Sequence, residues 1–155
     1  MTKAEKQVDV LLVEDNTDDV ELALHAFQKH NFANLVHVCR DGVEACEYLF
    51  GEGSPELPPR LILLDFKMPR LNGIELLERI RAEEKTKRVP VIMLTASDQE
   101  ADMVRSYDLG ANSYIVKPVD FRQFSEVVLQ LGLYWLLLNR VPGEVDPQVA
   151  PVRGP

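Results

Sequence analysis

A chain of 155 residues is one ordinary domain and too short for a barrel of eight strand–helix units. At 46% hydrophobic and 27% charged, it has the composition of a soluble globular protein with a sizeable core. A net charge of −8 without a long basic run argues against a protein that tracks nucleic-acid phosphates, which needs clustered Lys and Arg. The two cysteines, Cys39 and Cys46, are too few for a disulfide framework and lack C-x-x-C spacing. They read as small buried side chains in a reducing cytosol. Met1–Gln7 is polar and lacks the apolar core of a signal peptide. No run approaches the ~18 apolar residues of a membrane span. A cytoplasmic protein without a membrane partner is expected.

Short apolar runs alternate with amphipathic stretches. Val8–Val13 reads as a first strand and Asn16–His30 as a first helix. In that helix Val20, Ala23, Leu24 and Phe27 share one face at i, i+3, i+4 and i+7. Leu35–Cys39 reads as a second strand, and Asp41 caps a helix reaching about Phe50. After the loop Gly51–Pro59, the continuous apolar run Leu61–Leu64 suits a central parallel strand covered on both faces, and it ends in Asp65. Asn72-Gly73 opens the next helix, with Ile74, Leu77 and Ile80 facing the core. Val91–Leu94 is the fourth strand. A more polar helix runs from about Asp98 to Leu109 and stops at Gly110. Ser113–Val116 is the fifth strand, and Asp120 caps a last helix reaching about Asn139. Pro142–Pro155, with four prolines and two glycines, reads as an extended or mobile tail. Five strands alternating with five helices predict a parallel sheet with helices on both faces and right-handed crossovers.

Ligands of open parallel sheets gather at the carboxyl ends of the strands. Glu14-Asp15 end the first strand, Asp65 the third, Thr95 the fourth and Lys117 the fifth. Singly, each has an ordinary explanation. Asp15 or Asn16 can cap a helix, Asp65 and Thr95 can close strands, and Lys117 can sit on the surface. Jointly, they place carboxylates, a hydroxyl and an ammonium on one rim. Three close carboxylates repel unless a cation neutralises them, and oxygen ligands with open positions favour Mg²⁺. A metal beside a lysine and a hydroxyl suits a phosphoryl group, and a carboxylate can be the nucleophile that forms an acyl phosphate.

Four motifs carry a resemblance: LLVEDN (11–16), LILLDFKMPRLNG (61–73), VIMLTAS (91–97) and YIVKP (114–118). From about Val8 to Leu138 the chain resembles the receiver domains of two-component response regulators. The spacings, 50 residues from Asp15 to Asp65, 30 to Thr95 and 22 to Lys117, agree. The resemblance implies a flavodoxin-like (βα)5 fold with strand order 2-1-3-4-5. It implies an arm at 1–7, a receiver at 8–139 and a tail at 140–155. By the same resemblance Asp65 is the phosphoacceptor. Asp15 and Asp65 ligate Mg²⁺ (or Mn²⁺) directly, Glu14 acts mostly through water, and the backbone carbonyl of Lys67 is a further ligand. Thr95 and Lys117 contact phosphoryl oxygens, Tyr114 is the aromatic switch, and Lys117-Pro118 resembles the family's cis peptide. Lys67 and Ser97, two residues beyond Asp65 and Thr95, flank the phosphoryl group and bear on its lifetime.

The stretch SYDLGANSYIVKPVDFRQF (106–124), the later Tyr134-Trp135 and the long loop before the third strand are similar to regulators paired with phytochrome-type histidine kinases. With about 17 residues after Leu138, no DNA-binding output domain is expected. An aspartate-nucleophile phosphatase would carry a second Asp at position 67, where Lys67 stands. A flavodoxin-like binding module would need a phosphate-cradling loop where Glu14–Asp19 is acidic. A receiver-fold scaffold that needs no phosphorylation would not require the full set of site residues. Between Val127 and Leu138 only Gln130 and Gly132 are not apolar. If Leu131, Tyr134, Trp135 and Leu138 fill the stripe facing the sheet, Leu133, Leu136 and Leu137 point elsewhere. Surplus apolar surface predicts a homodimer through Leu133, Tyr134, Trp135, Leu136 and Leu137.

Overall fold

The computed structural model describes residues 7–30, 35–68, 70–117 and 120–138, with the backbone alone at Phe121 and Leu137. The tail, the arm apart from Gln7, and Pro118, hence the Lys117-Pro118 peptide, lie outside the described residues. The elements are β1 (Val10–Val13), α1 (Thr17–His30), β2 (Val36–Cys39), α2 (Gly42–Phe50), β3 (Leu61–Leu64), α3 (Gly73–Ala82), β4 (Val91–Thr95), α4 (Glu100–Asp108), β5 (Ser113–Val116) and α5 (Phe121–Leu131). A π-helical segment, Gly132–Leu138, continues α5. The sheet is parallel in the order β2-β1-β3-β4-β5. That is the flavodoxin-like order expected.

Period-two alternation divides the core into two layers. Val10 and Leu12 of β1, Leu61 and Leu63 of β3, and Ile92 and Leu94 of β4 pack with Val20, Ala23 and Phe27 of α1 and Phe124 and Val128 of α5. Leu11, Val13, Ile62, Leu64, Val91 and Met93 point the other way, onto Ala45 and Leu49 of α2 and Leu76, Leu77 and Ile80 of α3. Apolar residues at every position of β3 are thus required, because both faces are covered. Burial of each large side chain contributes about 1.5–3 kcal/mol.

Several boundaries differ from the sequence expectation. Strand β1 begins at Val10, not Val8, and the Asp9 carboxylate before it accepts from the Leu35 N–H at 3.0 Å. In α1 Leu24 is 37% exposed, and Ala26 is buried instead, where a small side chain fits under the sheet. Helix α4 starts at Glu100 rather than Asp98. The largest correction concerns the last helix. A π-helix turns through more residues than an α-helix, so side chains after Gly132 rotate away from the α-helical stripe. Leu136 consequently lies in the core at 2% exposure and is unavailable to a dimer interface. Its carbonyl accepts from Arg60. Tyr134, at 51%, and Leu138, at 69%, face outward rather than filling the stripe. Leu133 is exposed and Trp135 is partly buried against the core.

The turn after β3 fixes Asp65. Gly73 donates its N–H to the Phe66 carbonyl at 2.9 Å, and Asn72 caps α3 through the Glu75 N–H. A Cβ on Gly73 would stand 2.2 Å from the backbone oxygen of Asp65. Gly73→Ala is therefore expected to force the Asp65 turn apart and lower stability by about 1–3 kcal/mol in urea denaturation. An unchanged unfolding midpoint would show that the turn relaxes freely.

Candidate functional site

Parallel register brings the site together. Val13 pairs with Leu64, so Glu14 and Asp65 emerge side by side from the two central strands. The Asp65 N–H donates to the Val13 carbonyl at 3.1 Å, and the Glu14 N–H to Cys39 at 2.9 Å. β1 lies between β2 and β3, and its chain leaves toward β2, so the crevice at its carboxyl end is a topological switch point. Asn16, not Asp15, caps α1, accepting from the Asp19 N–H at 3.1 Å. Asp15 is left exposed at the rim.

Glu14, Asp15 and Asp65 each present a carboxylate oxygen, all within 4.8 Å of one another. Glu14 and Asp65 are buried. Lys117 reaches them from the end of β5. Its Nζ donates to Glu14 Oε2 at 2.8 Å, to Asp65 Oδ2 at 3.1 Å and to Asp19 Oδ2 at 2.8 Å. Burial alone would lower the lysine pKa, but the hydrogen bonds to Asp19 and Glu14 and the charge of Asp65 outweigh it and raise it. Burial pushes the Glu14 carboxyl up to about 7, with the Lys117 hydrogen bond opposing and the Asp65 charge adding. A carboxyl whose charge is disfavoured chiefly by burial, beside a second buried carboxylate, gains from a nearby hard cation.

Thr95, 1% exposed at the end of β4, accepts the Ser97 N–H on its hydroxyl at 3.3 Å. Ser97 in turn donates its hydroxyl to Asp102 of α4 at 2.5 Å. Half-buried Tyr114 donates its hydroxyl to the Ser97 carbonyl at 2.8 Å. The loop after β4 is thus tied to both β5 and α4. The Lys67 side chain is exposed. Of the predicted residues, Glu14, Asp15, Asp65 and Lys117 converge, while Thr95 and Tyr114 meet through Ser97.

Sequence reasoning missed Asp19. Spacing carries no signal for it: Asp15 precedes the helix, and Asp19 stands in the first turn of α1 as an ordinary acidic residue.

The raised Glu14 pKa gives a pH signature. Its contribution to stability is fully present below its ordinary value of 4.5 and is lost as pH rises through about 7. With divalent ions chelated, Glu14→Gln is expected to gain on the wild type in urea midpoint between pH 5 and pH 8. A gap independent of pH would contradict the burial-driven shift.

Comparison with known proteins agrees with this geometry. The response regulator receiver domain family matches residues 10–129. The chain is 37% identical over 142 residues to the probable methanogenesis regulatory protein FilR2 of Methanothrix harundinacea, covering 91% of this chain and 92% of that protein. It is 34% identical over 135 residues to response regulator Rcp1 of Synechocystis, covering 86% and 92%, and Rcp1 has been solved in a Mn²⁺-bound form (TM-score 0.79, 32% identity, covering 87% of this chain and 99% of that one). The structure of the phosphorylated cyanobacterial phytochrome response regulator RcpA superposes with a TM-score of 0.82 at 36% identity, covering 88% of this chain and 99% of that one. This chain belongs to the response regulator receiver family.

Proposed function

We propose that the protein is a phosphorylation switch in which Asp65 accepts a phosphoryl group from a partner histidine kinase. The observation that carries this reading is one half-buried ammonium, Lys117, 3.1 Å from Asp65 beside a triad of cation-competent carboxylates. Glu14, Asp15, Asp65 and the backbone carbonyl of Lys67 would hold Mg²⁺ or Mn²⁺. The bound ion would neutralise charge on the phosphoryl oxygens. An Asp65 carboxylate oxygen attacks phosphorus, an O–P bond forms, the bond to the donor nitrogen breaks, and the imidazole leaves with that electron pair. Lys117 then donates to a phosphoryl oxygen in place of Asp65 Oδ2. The protein acts as an acceptor rather than an enzyme, and exposed Lys67 offers no general acid for a phosphatase.

Output follows from the β4–α4 loop. The Thr95 hydroxyl turns to a phosphoryl oxygen and gives up its bond from the Ser97 N–H. The shift of this loop breaks the Tyr114–Ser97 bond and lets Tyr114 turn inward. Phosphate shifts the balance between two existing arrangements. Similarity to RcpA supports a phytochrome-type kinase as the partner. Residues 8–139 form the receiver unit, acting in the cytoplasm. No helix among the described residues is long and apolar enough to cross a membrane.

A small phosphodonor with Mg²⁺ should add one phosphate to the wild type by intact mass and none to Asp65→Asn. Asp15→Asn should weaken Mg²⁺ roughly tenfold or more in calorimetry, because a charged ligand is lost. A normal mass gain in Asp65→Asn would remove the assignment, and an unchanged Mg²⁺ affinity in Asp15→Asn would move the metal elsewhere.

The outward face of the π-helical segment supports a homodimer. Leu133, Tyr134 and Leu138 are exposed there, and Trp135 stands edge-on to Tyr134 with ring centroids 4.9 Å apart. Light scattering should give a dimer mass for the intact chain at micromolar concentration. It should give a monomer for the double variant Leu133→Glu, Tyr134→Glu. A monomeric intact chain, or a dimer indifferent to both charges, would end this part of the reading.

A further inference from the structure

Asp19 is the member of the rim to which the phosphoacceptor reading assigns no work. The Lys117 ammonium has three N–H bonds and meets three carboxylates, Glu14 and Asp19 at 2.8 Å and Asp65 at 3.1 Å. Glu14 and Asp65 also belong to the triad that can hold a cation, whereas Asp19 does not. Its position is set independently, because its N–H donates to the Asn16 cap at the start of α1. The helix N-terminus also favours a negative charge there.

When a cation draws on Glu14 and Asp65, and a phosphoryl group replaces the Asp65 arm, Asp19 is the acceptor that stays on Lys117. We propose that Asp19 is a positioning residue that acts through its charge on Lys117 and sets the site's preference between cation and phosphoryl group. This rests on the reading of the site given above. A fixed carboxylate beside the site attracts Mg²⁺ and repels a phosphoryl dianion. Its removal therefore shifts the two affinities in opposite directions. A packing defect would weaken both.

The test uses the full chain, with Mg²⁺ affinity measured by calorimetry and beryllofluoride affinity by fluorine NMR at saturating Mg²⁺. Asp19→Asn keeps the shape and an acceptor oxygen but loses the charge. It should bind Mg²⁺ on the order of tenfold more weakly and beryllofluoride more tightly by a similar factor. Asp19→Glu, which keeps the charge, should restore both affinities to within about threefold of the wild type. Asp18→Asn, the same charge change on the neighbouring exposed residue, should move neither by more than about twofold. If Asp19→Asn weakens both affinities, or leaves both unchanged, this role of Asp19 is overturned while the phosphoacceptor reading stands. A wild type that binds no Mg²⁺ overturns both.

Discussion

One ammonium among three carboxylates holds the functional end of this sheet together. Lys117 bridges the ends of β1, β3 and β5 and the first turn of α1. Glu14 and Asp65 are buried, so their charges are weakly hydrated and the lysine is their nearest compensation. Breaking such a buried pair leaves an unpaired charge and costs about 3–5 kcal/mol. The compensation is incomplete, since burial still pushes Glu14 up to about 7. Incomplete compensation is what makes the site receptive. A site fully neutralised by its own side chains would have little to gain from a divalent ion.

The frame around this contact is buried in apolar layers, and the α4 side is not. Strands β1, β3 and β4 are buried at every position and sandwiched between two apolar layers. Gly73, close against the Asp65 carbonyl, locks the turn that carries Asp65. Helix α4 is different. Ser106 is its buried residue, and its N-cap, Gln99, makes no side-chain capping bond. Elements with little buried apolar surface open at lower free energy than the core. The loop before α4 is held by hydrogen bonds among Thr95, Ser97, Asp102 and Tyr114. Polar ties of this kind can be exchanged for a phosphoryl oxygen at small net cost, which a packed apolar contact cannot.

Much of this was legible in the sequence, for identifiable reasons. Leu61–Leu64 announced a strand covered on both faces, and the parallel register then carried Glu14, Asp65, Thr95 and Lys117 to one edge. Asp41, Asn72 and Asp120 cap α2, α3 and α5 through the N–H groups of Glu44, Glu75 and Gln123, as side chains of that type do. What escaped depends on three-dimensional context. Asp19 reads as an ordinary acidic residue in a first helical turn until Lys117 is placed across from it. Leu136 reads as surplus only if α-helical periodicity continues past Gly132, and the π-helical segment breaks that periodicity. Leu24 is exposed and Ala26 buried because the buried stripe of α1 runs through Val20, Ala23, Ala26 and Phe27, rotated from the face that the spacing suggested.

In the proposed switch, Lys117 and Tyr114 change partners when a phosphoryl group reaches Asp65. The direct measurement is the structure of the protein with Mg²⁺ and beryllofluoride, compared with the arrangement described above. The expected structure has Lys117 Nζ bonded to a fluorine instead of Asp65 Oδ2, the Thr95 hydroxyl turned to the mimic, and the 2.8 Å bond from Tyr114 to the Ser97 carbonyl broken. A mimic bound at Asp65 with Lys117, Thr95 and Tyr114 all keeping their present partners would contradict it.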